Sequence, residues 1–483
     1  MSLHKSTDLP RVYAPALPND SRPEQALSAR WLLVALVAIG LAGVFSLIPL
    51  IGRTPIINEW ITDPLFARRW LVVHVNLALI VWFYAFLAAV AVLIAPRRRT
   101  FGYERVLPHL ALLGVATFTV MGLFPTVEPV LANYIPVLDH PVFLLGLVLF
   151  AVAVSASLLT GRLLPGARPA PVAPLVPAAV PGLRVAAVAI VLALITFTVS
   201  FATIPRYLPA SAYYEVLFWG GGHVLQFANI ATMVALWLVL LRAAGLKRLI
   251  APRLAAVLFA LMILPAFLGP YFASIGASTN ESRAWFVFMM RWCMFPVLSL
   301  FMLILLVQLG IGWRRGELFG RRFSPALVGF VVSVVMTLIG FALGAMAQLG
   351  TTLVPAHYHV SIGAVTVAFM AGSYLLIQAY GGRFTGLGEQ RMASRQLLYF
   401  GVGQVIFALG LALAGTTGMQ RKVYGSEQVT RTTEELVGLA VMGFGGLFAI
   451  SGGVLFLWIV ISMWLRRGRP HPPRAGAHSK GGE

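Results

Sequence analysis

The chain has 483 residues, 59% of them hydrophobic and only 11% charged, and its mean hydropathy is +0.87. That balance excludes an ordinary soluble domain and calls for a lipid solvent. A formal net charge of +20 would suit a nucleic-acid partner, but the basic residues are distributed as the topology of a membrane protein requires, and no nucleic-acid partner is expected.

A bilayer span needs about 20 consecutive apolar residues. Twelve such windows follow one another, beginning near Trp31, Trp70, Val106, Asp139, Gly182, Glu215, Ile250, Trp285, Ala326, Ala356, Gln396 and Leu436. Residues 1–30 are polar and contain proline, without the apolar core and cleavage site of a secretory signal, so the first helix is expected to be retained. Residues 31–466 make the expected twelve-helix domain, an all-α polytopic membrane protein. Residues 467–483 are basic, rich in Pro and Gly and too poor in apolar groups to fold, so a disordered tail is expected.

Lys and Arg favour alternate loops. Arg97, Arg98, Arg99 and Arg105, then Arg162 and Arg168, then Arg242, Lys247, Arg248 and Arg253, then Arg314, Arg315, Arg321 and Arg322, then Arg383, Arg391 and Arg395 share one side with both termini. The other side carries Arg53, Arg68, Arg69, Arg206, Arg283, Arg421, Lys422 and Arg431. The positive-inside rule places the first side in the cytoplasm of a bacterial inner membrane. The single cysteine, Cys293, falls inside the eighth span, so the chain alone builds no disulfide, CxxC metal site or covalent haem attachment. Packing is its expected role.

Ionisable and metal-binding side chains are costly in lipid and mark function where they persist. His74, His109, His140, His223, His357 and His359 lie in or at the ends of spans. At a rise of about 1.5 Å per residue, His74 lies about 7 Å into the second window and His223 about 12 Å into the sixth, while His357 and His359 occupy the first turn of the tenth. All four share the outer half of the membrane. His109 sits at the cytoplasmic start of the third window, and His140, after Asp139 at the start of the fourth, suits a helix cap.

In VPAHYHVSIGA the two histidines stand at i and i+2, about 200° apart around the helix. Chelation of one ion uses i and i+4 on one face; i and i+2 suits a helix wedged between two cofactors. Two imidazoles on one iron make a low-spin haem, and one leaves a position open to a gas. His74 is the candidate second ligand of one haem. In YYEVLFWGGGHVLQFANI, Gly220, Gly221 and Gly222 remove bulk before His223, which permits close approach of another helix or of a flat cofactor.

With these residues the chain resembles the haem-copper oxidase superfamily subunit I, including cytochrome c oxidase and nitric oxide reductase, over nearly its whole length. The resemblance implies that His74 and His359 bind the low-spin haem, that His357 is the proximal ligand of a high-spin haem, and that His223 matches the ligand of a neighbouring copper or non-haem iron. MQRKVYG resembles the family's propionate-binding loop, which makes Arg421 and Lys422 candidates there. The family also places two adjacent histidines at the outer end of the seventh helix, whereas LGPYFASIGASTNES has none. One histidine does not hold copper tightly, and Tyr271, Ser274 and Glu281 are the nearby oxygen donors. Phe227 stands where many oxygen-reducing relatives carry a tyrosine, which leaves Tyr271 as the candidate phenol. Arg291 suits either snorkelling to the interface or a propionate.

The resemblance thus implies a respiratory membrane reductase with two b-type haems. Electrons from cytochrome c or quinol, through a partner subunit, would pass via the low-spin haem to the high-spin one, where O2 or NO is reduced. A second reading keeps the haems without a catalytic copper, as an electron-transfer or gas-sensing protein. A third is a secondary transporter, which wants an internal repeat and helices broken at mid-membrane.

Overall fold

The computed structural model describes residues 22–94, 102–160, 175–320, 323–347 and 350–467. Arg97, Arg98, Arg99, Arg162, Arg168, Arg321 and Arg322, most of the N-terminal segment and nearly all of the expected tail lie outside the described residues. Among those described, twelve helices are long and apolar enough to cross a membrane. They are α1 Pro23–Ile51, α2 Pro64–Ala91, α3 Gly102–Leu123, α4 Pro141–Leu158, α5 Pro177–Thr203, α6 Ala210–Ala243, α7 Pro252–Ser274, α8 Asn280–Arg314, α9 Pro325–Met346, α10 Leu353–Ala379, α11 Leu387–Thr416 and α12 Thr433–Leu465.

Proline opens many of them because its fixed φ suits the first helical position and its missing N–H is lost where no partner waits. Side-chain caps sharpen the starts. Asp63 accepts from the Leu65 N–H at 2.8 Å, Ser324 from Leu327 at 3.3 Å, and Thr432 from Glu435 at 3.2 Å. His140 accepts the Val142 N–H on Nδ1 at 3.2 Å, the capping role its sequence position suggests.

Sequential neighbours pack as pairs, α3 on α4, α5 on α6, α9 on α10 and α11 on α12, with α1 against α2 and α12. The two inner helices are α6 and α10, each 89% buried across its apolar window, whereas α8 is 28% buried and faces outward. Rings of Trp82, Phe86 and Phe369 lock α2 to α10, with Phe86 stacked on Phe369 at 4.4 Å.

Helix starts differ from the sequence windows. α1 begins at Pro23, so residues 23–30, expected to precede the bundle, belong to it. There Ser28 donates to the Ala89 carbonyl at 2.6 Å and meets Tyr380 at 2.5 Å. α2 and α6 begin at Pro64 and Ala210 rather than near Trp70 and Glu215, because polar and aromatic residues continue a helix beyond the hydrocarbon once the backbone bonds are made. His74 and His223 therefore lie a turn or more farther from the start of the helix than the windows suggest.

Between α3 and α4 the chain makes a small hairpin, Pro129–Val130 paired antiparallel with Val137–Leu138. Arg69 donates to the Pro125 carbonyl at 3.2 Å. The Asn76 amide donates to Val72 O at 2.9 Å and Pro136 O at 2.7 Å, pinning the loop to α2 where the helix widens into a π-turn over Asn76–Val81. Such bulges interrupt the i to i−4 ladder, and they recur at functional sites.

Candidate functional site: a cluster of anchored imidazoles

The π-turn of α2 starts two residues after His74. His74 Nδ1 lies 2.8 Å from the Ala42 carbonyl of α1. His357 makes the same kind of bond with Gly340 O of α9 at 2.8 Å, and His223 with Trp219 O one turn back on α6 at 2.7 Å. A backbone carbonyl only accepts, so each Nδ1 carries the hydrogen and each Nε2 keeps its lone pair. This is the tautomer a metal-ligating imidazole adopts when its other nitrogen is held.

His357 and His359 reach opposite neighbours of α10. The His357 ring lies on α9, so close that a Cβ on Gly344 would be 2.8 Å from it. The His359 ring packs on Phe407 of α11 at 4.5 Å between centroids, interacts electrostatically with His74, and is faced by Gln404. His74, His357 and His359 are each only half-buried although they sit on the largely buried helices α2 and α10, so space adjoins the rings. The structure thus brings His74 and His359 together and sends His357 the other way.

His223 is different. It is buried in a box of rings, with Tyr134 at 4.6 Å, Trp219 at 4.7 Å and Phe286 at 5.8 Å between centroids. The glycine run before it serves those rings and their neighbours. A Cβ at Gly220, Gly221 or Gly222 would come within 2.7, 2.3 and 2.3 Å of Phe286, Phe197 and Tyr134 respectively. Arg283 covers Trp219 at 4.6 Å, and its charge acts on His223.

Tyr271 is 59% exposed, its ring against Phe272, and Ser274 bonds back to the Tyr271 carbonyl at 2.7 Å. Glu281 is exposed as well. The structure does not bring these three to His223. A 3-10 stretch over Leu264–Leu268 changes the turn angle of α7 just before Tyr271, which re-aims the last turns of that helix. Arg291 is likewise exposed, which suits snorkelling and not a contact inside the bundle. The phenol against His223 is instead Tyr134, carried by the α3–α4 loop. Burial raises its pKa above the ordinary tyrosine range, and Glu215 adds to the shift.

Above α10 lies a cap of basic residues. Buried Arg53 donates to the carbonyls of Gln420 at 2.5 Å and Arg421 at 2.9 Å. Arg68 donates to Lys422 O at 3.2 Å and pairs with Glu427. Arg53 and Arg421 both act on Tyr358, between the two histidines, while Glu215 and Arg421 act on Lys422. Arg421 and Lys422 are therefore part of this cap. Sequence reasoning missed Arg53, Arg68 and Tyr134. For Arg53 the signal was a charge at a span end on the arginine-poor side; for Tyr134 it was an aromatic residue in an apolar loop.

The family described as "Cytochrome C and Quinol oxidase polypeptide I" matches residues 26–454. The chain belongs to this family of haem-copper oxidase subunits I. An uncharacterised protein of Aquifex aeolicus is 29% identical over 84% of this chain and 97% of its own length. Cytochrome c oxidase subunit 1 of Thermus thermophilus is 24% identical over 96% of this chain and 88% of its own. A solved haem-copper terminal oxidase dimer shares the fold, with a TM-score of 0.69 at 16% identity over 92% of this chain and 84% of that one. The subunit I fold of twelve helices is thereby established, and its helices imply a lipid bilayer as partner.

The family typically binds haems, and the residues present fit them: half-buried imidazoles with Nε2 directed away from a fixed Nδ1, and a basic cap suited to carboxylates. They do not fit copper. Among the described residues no three His, Cys, Asp or Glu side chains gather, His223 has carbon neighbours, and Arg283 adds a like charge that disfavours a cation.

Proposed function

We propose that the chain is a respiratory membrane oxidoreductase subunit, with one haem iron held between His74 and His359 and a second held from one side by His357. The observation that carries this reading is the presentation of His357 and His359 to opposite neighbours of α10, with His74 meeting the second of them. A doubly ligated haem exchanges electrons, and a singly ligated one leaves a coordination position to O2 or NO; that is the chemistry the haems supply when bound. With a single cysteine in the chain, the haems would be held by their ligands and propionates without covalent attachment, and b-type is the type proposed.

The side chains do the remaining work. The Nδ1 bonds to Ala42, Gly340 and Trp219 fix ring orientation, which sets ligand basicity and prevents flipping. Arg53, Arg68, Arg421 and Lys422 supply the charge that propionate carboxylates need at the membrane surface. Tyr134 places a phenol, not a second metal ligand, beside His223. Positive-inside placement puts the imidazole cluster near the outer face of a bacterial inner membrane, within reach of an outer donor, cytochrome c or quinol.

The carbon-lined surroundings of His223 favour a second reading, in which the haems bind a gas or pass electrons without copper-assisted reduction. One experiment tests both. The purified protein is examined by reduced-minus-oxidised spectroscopy with and without CO, by iron and copper analysis, and by O2 and NO consumption with an artificial donor. Two irons per chain and little copper are expected. His359→Ala should abolish the low-spin signal and His357→Ala the CO response; a normal spectrum in either variant overturns the ligand assignment. Gas consumption supports the reductase, and CO binding without consumption supports the second reading.

A further inference from the structure

Away from the imidazoles, a cleft of about 660 Å³ opens between the ends of α3 and α4 on the arginine-poor side. The volume lies within the range of about 300–1,000 Å³ typical of small-molecule pockets. One wall is a single face of α3, with Ala116 and Val120 one turn apart and Phe124 following at the helix end. Eight residues at a rise of 1.5 Å give that wall a length of about 12 Å. The Thr117 hydroxyl beside it donates to the Leu113 carbonyl at 2.8 Å, so its hydrogen is spent within the helix. Val120, Phe124 and Val142 are 48%, 48% and 40% exposed, and the cleft opens sideways to lipid. Asp139 and His140 stand at its surface end, where α4 begins. A polar end at the surface above an apolar slot running toward mid-membrane is the profile of one phospholipid molecule.

The polar end selects the head group. Asp139 accepts the Tyr214 hydroxyl at 2.6 Å, which holds the carboxylate in place with acceptor capacity to spare. His140 receives the Val142 N–H on Nδ1 at 3.2 Å, so its hydrogen sits on Nε2 and can be donated. A negative acceptor and a neutral donor thus stand on adjacent residues. Glu128, also exposed, is held opposite Asp139, whose N–H donates to the Glu128 carbonyl at 2.9 Å. Among the described residues that line the cleft none is Lys or Arg. A head group with net negative charge is therefore repelled. A choline head group brings a cation but no N–H to give to Asp139.

A primary ammonium joined to a phosphate satisfies both residues, the ammonium donating to the Asp139 carboxylate and the phosphate accepting from His140. We propose that the α3–α4 cleft is a binding site for a zwitterionic aminophospholipid, with phosphoethanolamine at the Asp139–His140 rim and an acyl chain along Ala116, Val120 and Phe124. The site stands whether or not the chain holds haem. Its lipid braces the hairpin that ends beside Asp139 and brings Tyr134 to His223.

The test uses the full chain, delipidated in detergent and returned to phosphatidylcholine nanodiscs that contain a trace of phosphatidylethanolamine with a diazirine in one acyl chain. After irradiation, label is expected between Ala116 and Phe124, competed by unlabelled phosphatidylethanolamine and by neither phosphatidylglycerol nor decylubiquinone. Asp139→Asn should lower labelling about 10-fold or more, the scale of one hydrogen bond to a charged group. His140→Asp keeps the helix cap but turns a donor into an anion, and should lower labelling to a similar degree. Ala116→Trp, which fills the slot without touching the rim, should abolish it. The competition series needs no variant, so it decides the question even where a substitution unfolds the chain. Label that phosphatidylglycerol or the quinone displaces, a phosphatidylcholine probe that marks the same residues equally, label that maps elsewhere, or label undiminished in the filled-slot variant overturns the site.

Discussion

An imidazole with its Nδ1 on a carbonyl cannot rotate freely, so small changes behind the ring act on the ligand nitrogen in front of it. Gly344 is the clearest case, because a methyl there would fall 2.8 Å from the His357 ring. Gly344→Ala should push that ring off its Gly340 bond and diminish the CO-binding haem while leaving the low-spin signal of His74 and His359; CO difference spectra beside total haem would check it. Lys422 is a second residue-scale case. Burial pulls its pKa below the ordinary lysine range; Glu215 opposes the shift and Arg421 adds to it. The folded protein therefore holds this ammonium at a cost while it is charged. As pH rises through the lowered pKa that cost disappears, so stability gains; on the proposed reading a positive charge beside the propionates would be lost as well, so the low-spin midpoint potential should fall. Lys422→Met should show the lower potential already at neutral pH and a flatter alkaline dependence in redox titrations.

At the scale of helices, α11 and α12 meet through glycines in a seven-residue rhythm, Gly403 and Gly410 on one and Gly438, Gly445 and Gly452 on the other. A Cβ at Gly410 would lie 2.3 Å from Met442 N, at Gly438 2.7 Å from Ala414 N, and at Gly445 2.2 Å from Phe407 N. A strict heptad keeps the same stripe facing its partner along a left-handed pair, and small residues bring the backbones together where lipid gives no hydrophobic drive. That contact reaches the site, because Phe407 is the ring against His359. Gly445→Ile should separate the helices, cost about 1–3 kcal/mol by overpacking, and weaken the low-spin haem. Gly453→Ile, where a Cβ meets nothing within 4 Å, should change neither; melting curves and reduced spectra of the two variants would distinguish them. The rhythm is visible in the sequence, but which helix it faces is a tertiary fact.

For the molecule as a whole, the sequence disclosed what lipid dictates and little of what packing decides. Twelve spans were legible because an apolar run of bilayer length has few other uses, whereas their ends were not, since helices such as α6 run 34 residues, about 51 Å, well past the hydrocarbon. The opposed directions of His357 and His359 were legible because i and i+2 geometry is fixed within one helix. Tyr134 was hidden because a hairpin loop folds back over α6, and the exposure of Tyr271 is a tertiary fact that no local pattern carries. The orientation of the whole bundle remains a consequence of charge alone, and it carries weight: it decides on which side the basic cap and the imidazole cluster stand, hence from which side an electron donor would have to reach them on the proposed reading. Cytoplasmic loops retain Lys and Arg during insertion, so alkaline phosphatase, active only outside the cytoplasm, should be active when inserted after Ala277 between α7 and α8 and inactive after Gly166 between α4 and α5. Green fluorescent protein at the same two positions should give the converse. The opposite pattern would place the imidazole cluster near the cytoplasm, and an outer electron donor would then have no route to it.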